Sequence, residues 1–78
     1  MVQELTLHQL ELKEKAHIVK IQGEAALQTR LEEIGFVPGA EISYVSKTPF
    51  GGPKAYQLKG TKIALRKNDT HHIVINRV

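Results

Sequence analysis

The chain has 78 residues, none of them cysteine, and 41% are apolar, so Leu, Ile and Val must build the core with help from only two Phe and two Tyr. That length leaves room for one domain, residues 1–78, and the lack of cysteine excludes disulfides, thiolate zinc sites and cysteine nucleophiles. The net charge of +3 is unevenly placed: residues 1–42 carry four Lys/Arg against seven Asp/Glu, and residues 43–78 carry seven against Asp69 alone.

Met1-Val2-Gln3-Glu4 lacks the basic and apolar regions of a secretory signal, and no apolar run nears the ~18 residues of a membrane span. With no disulfide staples in so small a chain, these features point to a soluble cytoplasmic protein. Leucines at 7, 10 and 12 fit neither a helical nor a strand period, so this segment reads as a short turn or one-turn helix lidding a barrel. Residues 16–21 are rich in branched side chains and read as a strand closed by Gln22-Gly23. A helix is predicted over 24–34, with Leu27, Leu31 and Ile34 on one side and Gln28, Glu32 and Glu33 on the other. Gly35 sits where a left-handed residue ends a helix, Phe36 can fold back onto Leu31, and Pro38-Gly39 suits a type II turn.

Beyond that turn the period becomes two. Ile42 and Tyr44 alternate along one strand, Tyr56 and Leu58 along another, with the cluster Pro49-Phe50-Gly51-Gly52-Pro53 between them, which makes a hairpin. Gly60-Thr61 turns into a strand bearing Ile63 and Leu65, and Asn68-Asp69 turns into a last strand over 72–77 with Ile73 and Ile75 on one face. The order predicts a mainly β fold, a small closed barrel of about five short strands with one inserted helix. Leu31, Ile42, Leu58, Ile63, Leu65 and Ile73 are its expected core. So small a domain buries little surface, and a partner or a second copy (a homo-oligomer) would cover more.

Catalytic constellations are missing. Gly51-Gly52-Pro53-Lys54 lies at a hairpin tip and not between strand and helix, and Pro53 lacks an N–H that a phosphate cradle would use. Ser43 and Ser46 have no nucleophile elbow, and the adjacent Glu32 and Glu33 diverge on their helix. His71 and His72 begin a strand, so their side chains leave by opposite faces, while His8 and His17 lie far off in sequence. The basic half suits an acidic partner, yet surface aromatics in series are lacking, so nucleic acid is not expected. The most informative feature is Phe50, an aromatic between Pro49 and Gly51-Gly52-Pro53. Either it is a contact residue on an exposed tip or it folds back over the barrel mouth.

Arg30-Leu31-Glu32-Glu33-Ile34-Gly35-Phe36-Val37-Pro38-Gly39 resembles the signature Arg-Leu-x-x-Leu/Ile-Gly-Phe/Leu-x-Pro-Gly of the FeoA family, the ferrous iron transport A proteins. Pro49-Phe50-Gly51-Gly52-Pro53 and Ile63-Ala64-Leu65-Arg66 follow at matching distances, so the resemblance spans nearly the whole chain. The family commonly carries a glycine shortly before the first strand, where this chain has Lys13-Glu14-Lys15. The resemblance implies an SH3-like β-barrel with an inserted helix. It also implies a non-enzymatic, cytoplasmic accessory protein that binds and regulates FeoB, the ferrous iron transporter, and meets the membrane only through it. On that reading Lys47, Pro49, Phe50, Gly51, Gly52, Pro53 and Lys54 form the partner-binding tip, and no cofactor is required. The alternative is a protein that itself binds ferrous iron or another transition metal, through residues the sequence leaves unassigned.

Overall fold

The computed structural model describes residues 4–48, 50 and 52–77. Along the chain run β1 (Glu4–Thr6), a single 3₁₀ turn (Leu7–Gln9), β2 (Lys15–Ile21), α1 (Ala25–Glu33) and β3 (Glu41–Ser46). They are followed by β4 (Lys54–Leu58), β5 (Thr61–Leu65), α2 (Lys67–Thr70) and β6 (Ile73–Arg77). Strands form where side chains alternate, because alternate residues of an extended chain leave by opposite faces. Ile42 and Tyr44 of β3 and Tyr56 and Leu58 of β4 are accordingly buried, and Ile42 pairs with Leu58 and Tyr44 with Tyr56. The two tyrosine rings lie 5.1 Å apart, tilted by 33°. Burial, and then Tyr44, push the Tyr56 hydroxyl up to about 12, so it remains protonated at neutral pH.

The strands make one antiparallel sheet in the order β1-β6-β2-β3-β4-β5. This corrects the expected closed five-strand barrel. There are six strands, and among the described residues nothing pairs β1 with β5. β1 has only three residues, which pair with β6 along one edge and leave the sheet open on the other. Glu4-Leu5-Thr6 carries a single apolar residue, too little pattern to reveal a strand. The single inserted helix is likewise amended, since Asn68-Asp69 lies within α2 and not in an open turn. Its one turn is closed by the Thr70 hydroxyl donating to the Lys67 carbonyl at 2.9 Å.

The end of α1 forms as its sequence dictates. Gly35, at φ +110°, donates to the Glu32 carbonyl at 3.0 Å, and Phe36 donates to the Leu31 carbonyl at 3.0 Å. This double bond is the Schellman pattern, and it carries the Phe36 ring into the interior. The core joins Leu31, Ile42, Leu58, Leu65 and Ile73 to Leu7, Leu10, Ile18, Phe36, Tyr44, Tyr56 and Ile75. One expected member differs: Ile63 is only partly buried against the core. On the apolar side of the helix Leu27 is likewise partly buried, and Ile34 is half exposed because it caps the helix at the point where the chain turns away.

Within Lys13-Glu14-Lys15, just before β2, Lys13 adopts φ +71°. The turn keeps its shape because the Lys13 N–H donates to the Tyr44 carbonyl at 2.7 Å and the Glu14 N–H to the Glu11 carbonyl at 3.0 Å. A left-handed residue with a Cβ costs about 1–2 kcal/mol, partly offset by glycine's larger loss of chain entropy. Lys13→Gly should therefore stabilise the fold by about 0.5 kcal/mol, seen as a higher urea midpoint with an unchanged slope. A lower midpoint would disprove the strain.

Candidate functional site

The β3–β4 hairpin is built to hold its tip out. A bulge between the Tyr44–Tyr56 and Ser46–Ala55 pairs inserts Val45 into β3, which bends the hairpin and increases its twist. The Thr48 hydroxyl then donates to the Pro53 carbonyl at 2.9 Å, tying the two arms together below the tip. Phe50 stands beyond this tie at φ +62°, with its side chain fully solvated (relative exposure 105%). The alternative in which it folds over the sheet is therefore excluded. A bulky residue in that backbone region is uncommon, and so is a fully exposed phenylalanine.

Of the other residues expected at this tip, Lys47, Gly52 and Pro53 are exposed and Lys54 is half-buried. Pro49 and Gly51 lie outside the described residues. The Lys54 ammonium sits 5.2 Å from the Tyr44 ring centroid, a cation–π distance that anchors one positive charge at the base of the hairpin.

Topology brings together a pair that the sequence reading kept apart. His71 and His72 do diverge: the His72 ring turns to Gly23, with its Nδ1 2.7 Å from the Asn68 carbonyl oxygen. The His71 ring instead stacks on His8 of the 3₁₀ turn, with centroids 4.2 Å apart and planes at 30°. No local pattern signals this contact, because the two residues meet only after β1 and β6 have paired and drawn their flanking turns together. His8 Nδ1 is enclosed without a hydrogen-bond partner. Burial, then His71, Lys54 and Lys67, lower the His8 pKa from its usual 6.5. His17 is exposed on β2. Among the described residues no three His, Asp or Glu side chains converge as metal ligands.

A shallow groove of about 520 Å³ lies between α1, β5 and α2, lined by Arg30, Ile34, Ala64, Leu65, Arg66 and Asp69. Arg30 and Asp69 meet there at 3.6 Å. This surface-exposed pair contributes little to stability.

Together these features describe a small antiparallel β domain that presents an aromatic hairpin tip and a basic flank. The chain belongs to the FeoA domain family, whose pattern matches residues 5–77, and its fold is SH3-like as in that family. The family is one of ferrous iron transport.

Over 95% of its length, and at 28% identity across 74 residues, the chain is similar to the Fe(2+) transport protein A/Fe(2+) transporter FeoB fusion protein of Porphyromonas gingivalis (strain ATCC BAA-308 / W83). It spans 9% of that protein. Among solved structures it is similar to a FeoA-like protein from Clostridium acetobutylicum, with 29% identity, 100% of this chain, 91% of that chain and a TM-score of 0.89. It is also similar to Stenotrophomonas maltophilia FeoA, with 36% identity, 91% of this chain, 88% of that chain and a TM-score of 0.80. The latter is a zinc-complexed prokaryotic SH3 domain protein put forward as an activating factor of ferrous iron transport. No helix of the described residues is long and apolar enough to cross a membrane.

Proposed function

We propose that this protein is a cytoplasmic, non-enzymatic accessory of ferrous iron transport that docks on the cytoplasmic region of a FeoB-type transporter through its β3–β4 tip and regulates it. The observation that carries this reading is the fully solvated Phe50 ring, held out at φ +62° on a tied hairpin. An apolar anchor flanked by Lys47 and Lys54 suits a partner surface with an apolar recess and acidic surroundings, the anchor giving affinity and the charges speeding encounter. The Porphyromonas gingivalis relative, in which the two proteins form one chain, supports the choice of partner.

Phe50→Ala should weaken binding to the transporter's cytoplasmic region about 5- to 30-fold, or 1–2 kcal/mol, with an unchanged thermal midpoint. Lys54→Glu should mainly slow association, more at low salt than at high. Full affinity in folded Phe50→Ala would overturn the docking surface.

The zinc complex of the Stenotrophomonas maltophilia relative favours a second reading, direct binding of a transition metal. In this chain its nearest counterpart is the His8–His71 pair. Stacked rings do not aim their nitrogens at one point, and the lysines beside them oppose a cation. Calorimetry with ferrous iron and zinc decides: micromolar affinity at stoichiometry would put the metal reading first.

A further inference from the structure

Strand β5 carries backbone groups that the sheet does not use. Lys59 at φ +52° and Gly60 at φ +82° stand between the paired Leu58 and Thr61, which makes the β4–β5 connection a type I′ turn. In such a hairpin the pair flanking the turn is hydrogen-bonded. Bonded pairs then alternate along the ladder, so Tyr56–Ile63 and Lys54–Leu65 follow. Lys62 and Ala64 therefore turn their N–H and C=O groups away from β4. β5 is the last strand of the sheet, and among the described residues no backbone group bonds to Lys62 or Ala64 on that side.

The side chains along this edge define what would complete it. Leu65 is buried and Ile63 partly buried on the core-facing side, while Lys62, Ala64 and Arg66 alternate with them and are exposed. Ile34, half exposed at the end of α1, lines the same groove as Ala64, Leu65 and Arg66, so apolar surface continues beyond the strand. Residues 59–67 include Lys59, Lys62, Arg66 and Lys67 and no acid. The carboxylate of Asp69, in the groove, is drawn to Arg30.

The same charges disfavour a second copy of this chain as the missing strand. Symmetric antiparallel registers of two β5 edges set Lys62 opposite Lys62, Lys62 opposite Arg66, or Lys59 opposite Lys67, and like charges directly opposite are destabilising. An acidic strand meets the opposite situation. We propose that the β5 edge binds, by antiparallel strand addition, an extended segment of another protein in which acidic and apolar residues alternate. The acidic residues of that segment lie beside Lys62, Ala64 and Arg66 and exchange backbone hydrogen bonds with Lys62 and Ala64. Its apolar residues lie beside Ile63 and Leu65 and extend the core-facing side toward Ile34. Backbone bonds supply affinity, and the alternating side chains supply the choice of segment. The site does not use Phe50.

The probe is the end-blocked peptide Glu-Val-Glu-Ile-Glu-Val-Glu, added to the whole chain and followed by NMR of the backbone amides and their hydrogen exchange. In the free protein the Lys62 and Ala64 amides should exchange quickly and those of Ile63 and Leu65 slowly. Peptide should slow the Lys62 and Ala64 amides about tenfold or more, with an affinity that falls as salt rises. Methylating the amide nitrogens of the two inner glutamates should abolish binding. Methylating those of the two valines should not, because only the glutamate amides face β5. Lys62→Glu should weaken binding about tenfold. Lys62 is exposed, so this variant should fold, and near-identical spectra away from β5 check that it does.

Slow exchange of Lys62 and Ala64 in the free monomer, or unchanged exchange at about 1 mM peptide, overturns the site. So does equal binding by the two methylated peptides, or unaltered binding by folded Lys62→Glu. A dimer in sedimentation equilibrium that itself slows these two amides also overturns it and makes a second copy the occupant. The transporter enters none of these measurements, so failure here leaves the docking reading of the Phe50 tip standing.

Discussion

Phe36→Ala should cost about 3–5 kcal/mol and leave little folded protein at physiological temperature. The ring is completely buried, and only Tyr56 among the fully buried side chains is larger. It sits directly after the left-handed Gly35, bonded through its own N–H to the Leu31 carbonyl, so the helix end and the core share one residue. Truncating it would remove the apolar contact that fixes the angle at which α1 leaves the sheet and leave a cavity beneath Leu31. A chain of this length is expected to have on the order of 4–12 kcal/mol in total, so this one change would remove a large fraction. Phe36→Leu, which keeps most of the volume, should cost less than about 2 kcal/mol. Urea titration of the two variants against wild type measures the difference. Equal midpoints for Ala and Leu would show that the ring does not fill the core.

Gly23→Ala should destabilise by about 2–4 kcal/mol, from two separable causes. The backbone stands at φ +101°, which a Cβ disfavours, and that Cβ would lie 2.8 Å from Cδ2 of His72. The imidazole cannot readily retreat, because its Nδ1 is bound at the Asn68 carbonyl at 2.7 Å. The backbone cannot readily move either, with the Gln22 N–H donating to the His72 carbonyl at 2.7 Å and Gln28 Nε2 donating to the Gly23 carbonyl at 3.1 Å. Removing the ring relieves the overlap and not the dihedral strain. Gly23→Ala combined with His72→Ala should therefore be more stable than the sum of the single changes by about 1 kcal/mol or more. Additive costs would mean that the ring and the glycine do not touch.

Much of the molecule was legible before folding was considered. The helix stop at Gly35-Phe36 was readable because a left-handed glycine followed by an apolar residue acts within six residues of chain. Strand β2 was readable from its branched side chains, and strands β3 to β6 because apolar residues recur at every second position. The tip was readable because proline and glycine on both sides of Phe50 restrict the backbone locally, whatever lies elsewhere in the fold. Ile34 misled because it keeps the helical spacing yet falls on the cap, where the chain is already turning and the periodic face no longer points inward.

The amino-acid sequence by itself thus determined the types of most elements, most of the core, the hairpin with its aromatic tip and the membership of the FeoA family. Each rests on interactions between residues close in the chain or on a pattern read in order. Only the tertiary structure decided that the sheet remains open at β1 and β5, that Phe50 points to solvent, that Lys13 takes a glycine's conformation, and that His8 meets His71. Strand pairing sets each of these by bringing distant segments together, and a pairing between positions 8 and 71 leaves no periodic trace in either segment.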